Sequence, residues 1–398
     1  MNSATIEKLY DRYVMPTYNR LGISIARGQG SFLWDTDGKK YLDLFPGWGT
    51  TALGYSHPAV TRAVREQVGR LVHVPNSFYN EPQAALAKAL IESSFPGKVF
   101  FCNSGAETVE SAVKLARRYG NGKRYEILSM QQSFHGRTMG ALAATGQSKY
   151  SRVFEPMLPG FKHLPFNDLN AVKKAAGRKT VAVLLELIQG EGGIHVATDA
   201  YIRGLRKFCD QKKLLLIFDE VSTGMGRTGT LYAYQHYRVK PDVLLLAKPA
   251  AGGLPIGMMI AAKPFADLLE KGTHATTFGG NPLVTAAGLA TLRTVRQGAV
   301  LKNAASRSKQ LFAGLKQLQK QHPVIREIRG RGLMVGIELT IPGAPVIQEA
   351  ALRGLLFNCT QTTVLRMYPA LTITEKELAQ GLRILDQSIA AVTRKSLR

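Results

Sequence analysis

Four apolar runs, each joined to the next by helical or turn-forming sequence, constrain this chain more than any other feature. KVFFCNS (Lys98 to Ser104), TVAVLLELIQG (Thr180 to Gly190), LLLIFDE (Leu214 to Glu220) and DVLLLAK (Asp242 to Lys248) read as strands buried on both faces. SAVKLARRYG and AYIRGLRKFCDQ carry helical spacing between them. Such alternation predicts an α/β fold with a mostly parallel central sheet covered by helices. Ligands of such sheets bind at the carboxyl ends of the strands. The alternation spans residues 50–287, the expected large domain. The texture then changes to a long helical stretch, LATLRTVRQGAVLKNAASRSKQLFAGLKQLQK, followed by IREIRGRGLMVGIEL, which reads as strand, turn, strand. Residues 288–398 are therefore expected to form a smaller α+β domain together with 1–49, where ARGQGSFLWDTDGKKYLDL predicts two strands around an Asp-Gly turn.

The chain is 398 residues long and 45% hydrophobic, enough to build a sizeable core. Cys102, Cys209 and Cys359 are isolated thiols with no C-x-x-C pair. Neither a disulfide framework nor a zinc site is expected, and a reducing, cytoplasmic setting fits. No metal site is expected. The amino terminus lacks the basic-then-apolar pattern of a signal peptide. Val243 to Ala262 imitates a membrane span in composition, but Pro249, Gly252, Gly253, Pro255 and Gly257 break it. Strand, lysine and glycine-rich turn is the better reading. The net charge of +24 favours acidic partners or substrates. The basic residues are dispersed, and TRKSLR at the end is a short tail, so no nucleic acid is expected.

LLLIFDEVSTGMGRTG (Leu214 to Gly229) admits three chemistries. An ATPase would use Asp219 to hold magnesium beside a phosphate loop, yet no Gly-Lys pair in the chain is followed by Ser or Thr. A dinucleotide-binding oxidoreductase would use GMGRTG, yet five residues separate the strand from its first glycine. The third reading draws on Lys248, which ends the next strand. Desolvation disfavours an ammonium, and a neutral amine forms an imine with an aldehyde. A buried Asp219 at a neighbouring strand end would keep a pyridine nitrogen protonated. Singly, Asp219 reads as a turn former and Lys248 as a surface lysine; jointly they describe a pyridoxal phosphate site. FFCNSGAETVE adds a strand, a turn and a helix start, with Ser104 and Glu107 as a capping box. Free N–H groups near Gly105 and Ala106 suit a phosphate dianion.

NSGAE, SFHGRT, ELIQGEGG, FDEVSTGMGRTG, LAKPAAGGLPIG and HATTFGGNPL occur in that order. With them, nearly the whole chain resembles the class III pyridoxal-phosphate aminotransferases of fold type I. The resemblance implies roles position by position. Lys248 matches the Schiff-base lysine and proton shuttle, and Asp219 the pyridinium partner. Phe134 and Val221 match the residues on the two faces of the ring. Ser104, Gly105 and Ala106 match the phosphate cup, and Thr277 the threonine that completes it from a neighbouring subunit, which implies a homodimer. Arg137 resembles the arginine for the donor's α-carboxylate, and Arg366 the arginine for glutamate or 2-oxoglutarate. Glu191 resembles the acid that masks Arg366. Arginine suits these tasks because a guanidinium binds a carboxylate through two parallel hydrogen bonds.

Two positions depart from the family pattern. Ser222 stands where glutamine usually contacts the ring's phenolic oxygen, and Glu186-Leu187 stands where Glu-Pro is common. The implied activity is transfer of a terminal amino group to 2-oxoglutarate, with N-acetylornithine the first donor. Ornithine, 4-aminobutyrate, putrescine, N-succinylornithine and a substrate tethered to an acidic carrier protein are alternatives that share the machinery. The alternative from another class is the NAD-dependent oxidoreductase.

Overall fold

The computed structural model describes residues 1–396; the last residues of the basic TRKSLR stretch lie outside them. A seven-stranded sheet forms the centre, with strand order 97–102, 257–262, 243–246, 215–219, 180–186, 126–130, 161–164. Only Gly257–Ala262 runs against the others. All four apolar runs are strands of this sheet. Their alternation divides the core by a two-residue period. Leu215, Ile217, Val243 and Leu245 face the helix Gly105–Tyr119, whereas Leu216, Phe218, Leu244 and Leu246 join the larger cluster on the other face. Leu214 through Phe218 are all nearly inaccessible, so the segment has no solvent-facing side.

The stretch from Val243 to Ala262 is strand, turn and antiparallel strand, and among the described residues no helix is long and apolar enough to cross a membrane. Two local expectations need correction. The amino-terminal hairpin has three strands, because Ile25–Gln29 pairs with Phe32–Asp35 before Lys40–Asp43 follows the Asp37-Gly38 turn. The long helical stretch is two helices, Pro282–Arg296 and Ala299–Gln321. Gly298 breaks it with φ +84°, which a side chain would resist. The reading of IREIRGRGLMVGIEL is met by the hairpin Ile325–Arg331 and Met334–Leu339. Leu355 and Leu356 pair in parallel with Leu42 and Asp43, tying the two chain ends into one sheet.

The turn after the central strand is anchored from inside. Glu220 is fully buried and accepts the backbone N–H groups of Ala233 at 2.6 Å and Tyr234 at 2.7 Å. Burial pushes its carboxyl up to about 7 from an ordinary 4.5. The unfolded chain therefore releases this proton first as pH rises. The carboxyl's contribution is complete below 4.5 and is lost as pH passes through about 7. Glu220→Gln should accordingly lose less stability than the native chain between pH 5 and pH 8. Thermal melts at both pH values check this, and an equal loss would contradict it.

Candidate active site

Asp219 and Lys248 come together because their strands are parallel neighbours in fixed register, Asp219 opposite Leu245. Asp219 is 4% exposed. One oxygen accepts from the His135 ring nitrogen Nδ1 at 2.7 Å, and the other from the Val221 backbone N–H at 3.0 Å. The carboxylate is thus fixed in direction at the sheet edge. Lys248 donates from Nζ to Ser222 Oγ at 2.8 Å. Burial lowers its pKa, Glu191 opposes that shift, and Arg366 adds to it.

The helix Gly105–Tyr119 starts at the same edge. Ser104 is its N-cap, accepting the Glu107 N–H at 3.2 Å. The reciprocal half of the expected capping box is displaced by one residue: the Glu107 carboxylate takes the Asn103 N–H instead of that of Ser104. The backbone N–H groups of Ser104, Gly105 and Ala106 therefore have no hydrogen-bond partner among the described residues. Together with the helix dipole they fit a phosphate. The floor here is backbone. A Cβ on Gly105 would lie 2.8 Å from Val221 Cγ1, and one on Gly136 2.7 Å from Ala106 Cβ. This cradle, the oriented Asp219 and the amine of Lys248 fit pyridoxal 5'-phosphate.

A second group of residues lies beside the amine. Arg366 is buried and donates to Glu191 Oε1 at 2.7 Å, the Gly190 carbonyl at 2.9 Å and Asn358 Oδ1 at 2.7 Å. Its guanidinium lies 4.7 Å from the Phe45 ring centre. Burial alone would raise the Glu191 carboxyl, but the Arg366 charge outweighs it and holds the group below its usual range. Arg137 is exposed, packs on Tyr150 at 4.1 Å and has no acidic partner among the described residues. Phe134 packs edge-on against the same tyrosine.

Thr277 alone stands apart from the expected set. It is exposed, borders an open cavity with Asn103, Glu107 and Phe278, and makes no hydrogen bond to Ser104, Gly105 or Ala106. His135, Asn358, Gln361 and Tyr150 were not foreseen as site residues. The SFHGRT motif holds His135 in plain view, while Asn358 and Gln361 carry no local signal. Gln361 donates to the Glu191 carbonyl at 2.7 Å and to Gln147 Oε1 at 3.0 Å. Glu186 joins both groups. It is buried, accepts the N–H of Phe134 at 2.9 Å and of Gly190 at 3.0 Å, and burial raises its carboxyl to about 7.

The dinucleotide reading of GMGRTG is overturned. Two of its three glycines serve close packing: a Cβ on Gly226 would meet Leu371 at 2.9 Å, and one on Gly224 would meet Leu246 at 2.7 Å, while Gly229 faces open space with φ +98°. No helix starts on the loop, and the next helical turn is Ala233–Tyr237. Arg227 is buried against the Leu333 and Pro369 carbonyls.

The cradle generates a direct test. Gly105→Ala should weaken cofactor binding about fivefold or more, since the methyl group enters Val221's space and costs about 1–3 kcal/mol. Adding Val221→Ala should recover part of the loss. Spectroscopic titration of the cofactor-free protein measures both, and unchanged binding in Gly105→Ala would contradict the assignment of the floor.

Residues 13–389 match the family model for aminotransferase class-III. Among similar proteins, an acetylornithine aminotransferase of Caldanaerobacter subterraneus subsp. tengcongensis is 47% identical over 96% of this chain and 98% of its own. A succinylornithine transaminase of Yersinia pseudotuberculosis is 42% identical over 99% and 98%. The solved ornithine aminotransferase of Toxoplasma gondii, described with pyridoxal phosphate at its active site, superposes with a TM-score of 0.96 at 30% identity over 100% of this chain and 96% of its own. The chain belongs to the class-III aminotransferases, pyridoxal-phosphate-dependent transaminases of fold type I.

Proposed function

We propose that this transaminase moves the terminal amino group of an N-acylated ornithine, N-acetylornithine first, to 2-oxoglutarate. The observation that carries the reading is the Arg366–Glu191 pair at 2.7 Å beside the Lys248 amine. An enzyme that takes two substrates in turn needs a site for a second carboxylate that disappears when the donor lacks one. Glu191 occupies Arg366 in the resting state, and a dicarboxylate displaces it. Arg137, exposed and without an acidic partner among the described residues, is left for the donor's α-carboxylate. Acylation of the α-nitrogen leaves the terminal amine as the donor's reactive nitrogen. The names borne by two relatives, acetylornithine aminotransferase and succinylornithine transaminase, support this donor class.

Bound pyridoxal 5'-phosphate supplies the carbonyl carbon that carries the amino group and the ring that withdraws electrons. Lys248 would attach it and move the proton, and Asp219, aimed by His135, would hold the ring nitrogen protonated. Phe134 and Val221 would cover the ring faces, and Ser104, Gly105 and Ala106 would hold the phosphate. Thr277 would complete the phosphate site from the other subunit of a homodimer. Exposed Leu71, Val72, Phe78, Tyr79 and Phe278 support such an interface. Residues 50–287 would be the cofactor domain, with 1–49 and 288–398 the smaller one, and the setting cytoplasmic. The pairing of Leu355 with Leu42 supports that division.

A carrier-tethered substrate is less well supported. Arg124, Arg178 and Lys212 line a basic cavity at the starts of the central strands, whereas Lys248 lies at their ends. Such a cluster would steer an acidic carrier away from the site.

A donor panel with 2-oxoglutarate, read as glutamate formed, tests the reading. N-acetylornithine or N-succinylornithine should exceed ornithine, 4-aminobutyrate and putrescine in kcat/KM at least about tenfold, equivalent to about 1.4 kcal/mol. Arg366→Ala should cost 2-oxoglutarate about 2–5 kcal/mol and the acylated donor less, and Arg137→Ala should damage handling of the acylated donor. Equal losses for both substrates in Arg366→Ala would contradict the division of labour.

A further inference from the structure

Ser222 is one of the two departures from the pattern that the resemblance implies, and its hydroxyl faces the amine of Lys248. Its Oγ lies 2.8 Å from Lys248 Nζ, the only hydrogen bond that Nζ makes among the described residues. The turn that carries Ser222 is fixed on both sides. The Val221 N–H donates to Asp219 Oδ1 at 3.0 Å, and the Gly224 N–H to the Glu220 carbonyl at 3.0 Å. Val221 also packs against Gly105 under the phosphate cradle. The serine hydroxyl therefore has a set place relative to both Asp219 and the cradle. The short serine side chain reaches the lysine.

We propose that Ser222 is the positioning residue for Lys248, holding the amine beside the cofactor carbon whenever it is not covalently engaged. The inference rests on Lys248 being the cofactor lysine. The chemistry of the partner matters. A carboxylate at 2.8 Å would favour the ammonium and keep the amine from acting as nucleophile or base. A hydroxyl accepts an N–H from the amine in either protonation state and adds little charge preference. It restricts where the flexible lysine stem places Nζ without fixing its proton. Burial lowers the Lys248 pKa in the same direction as this use requires. Cofactor uptake joins Nζ to the aldehyde carbon. The aldehyde oxygen leaves as water with both protons of the neutral amine, so an amine held at the carbon shortens that step.

Ser222→Ala, Ser222→Thr and Ser222→Gln should be compared as full-length, cofactor-free proteins. The rate at which each takes up added pyridoxal 5'-phosphate is followed by visible absorbance across pH. A neutral hydrogen bond contributes about 0.5–1.5 kcal/mol. Ser222→Ala should thus slow uptake about 3–10-fold, and later slow kcat while leaving KM for the donor nearly unchanged. Ser222→Thr, which keeps the hydroxyl, should restore the rate to within about twofold, and Ser222→Gln should not. Should Ser222→Ala fail to fold, Ser222→Cys keeps the volume with only a weak acceptor and carries the same expectation. An unchanged uptake rate in Ser222→Ala overturns the proposal. So does rescue by glutamine but not by threonine, which would mean the residue acts on the ring. Lys248→Ala distinguishes the two levels: if it keeps the native visible band, the assignment of the cofactor lysine falls, whatever Ser222 does.

Discussion

The parallel register of two buried strands is the constraint on which the rest depends. Pairing of Ile217 with Val243, Phe218 with Leu244 and Asp219 with Leu245 places a carboxylate and an amine at neighbouring strand ends. A one-residue slip would exchange the side chains packed on the two faces, Leu215 and Ile217 for Leu216 and Phe218, and would move Asp219 away from Leu245. The core that holds the sheet together thus also fixes the spacing of the reactive groups. The helix Gly105–Tyr119 starts at the same sheet edge and packs on the same apolar face, bringing its free N–H groups to the site.

Such a concentration of buried charge is costly unless each group has a partner. The site meets this with few residues. Asp219 has His135, Arg366 has Glu191, Asn358 and the Gly190 carbonyl, and Lys248 has Ser222. Glu186 and Glu220 take backbone N–H groups, and burial raises both toward the neutral form. Glu186 links the backbone of Phe134 to that of Gly190, whose carbonyl accepts from Arg366, so these segments share one support. The Arg366–Glu191 pair joins a guanidinium to a carboxylate, the group that a substrate carboxylate would replace in the proposed reaction.

The sequence was most legible where one element carries its own signal. Unbroken apolar runs identify the central strands, because no other common element is buried on both faces. Ser104 marked the helix start, although the Glu107 carboxylate passes over the serine to Asn103, a one-residue choice of rotamer that spacing does not encode. Gly298 was visible within the helical stretch but not its φ of +84°, which divides it in two. Partnerships between distant segments were hidden. Asn358 meets Arg366, and Gln361 meets Glu191, only after two strands of the smaller sheet pair. The task of Ser222 is hidden because its partner Lys248 is 26 residues away, just past the end of the next strand.

The placement of Lys248 as the single point of covalent attachment is tested most directly by chemical trapping. Protein loaded with pyridoxal 5'-phosphate is reduced with borohydride, digested, and its peptides weighed. The pyridoxyl mass is expected on the peptide that contains Lys248 and on no other lysine. A label on another lysine, or none on the Lys248 peptide when the visible band has been bleached, would contradict the assignment from which the site is built.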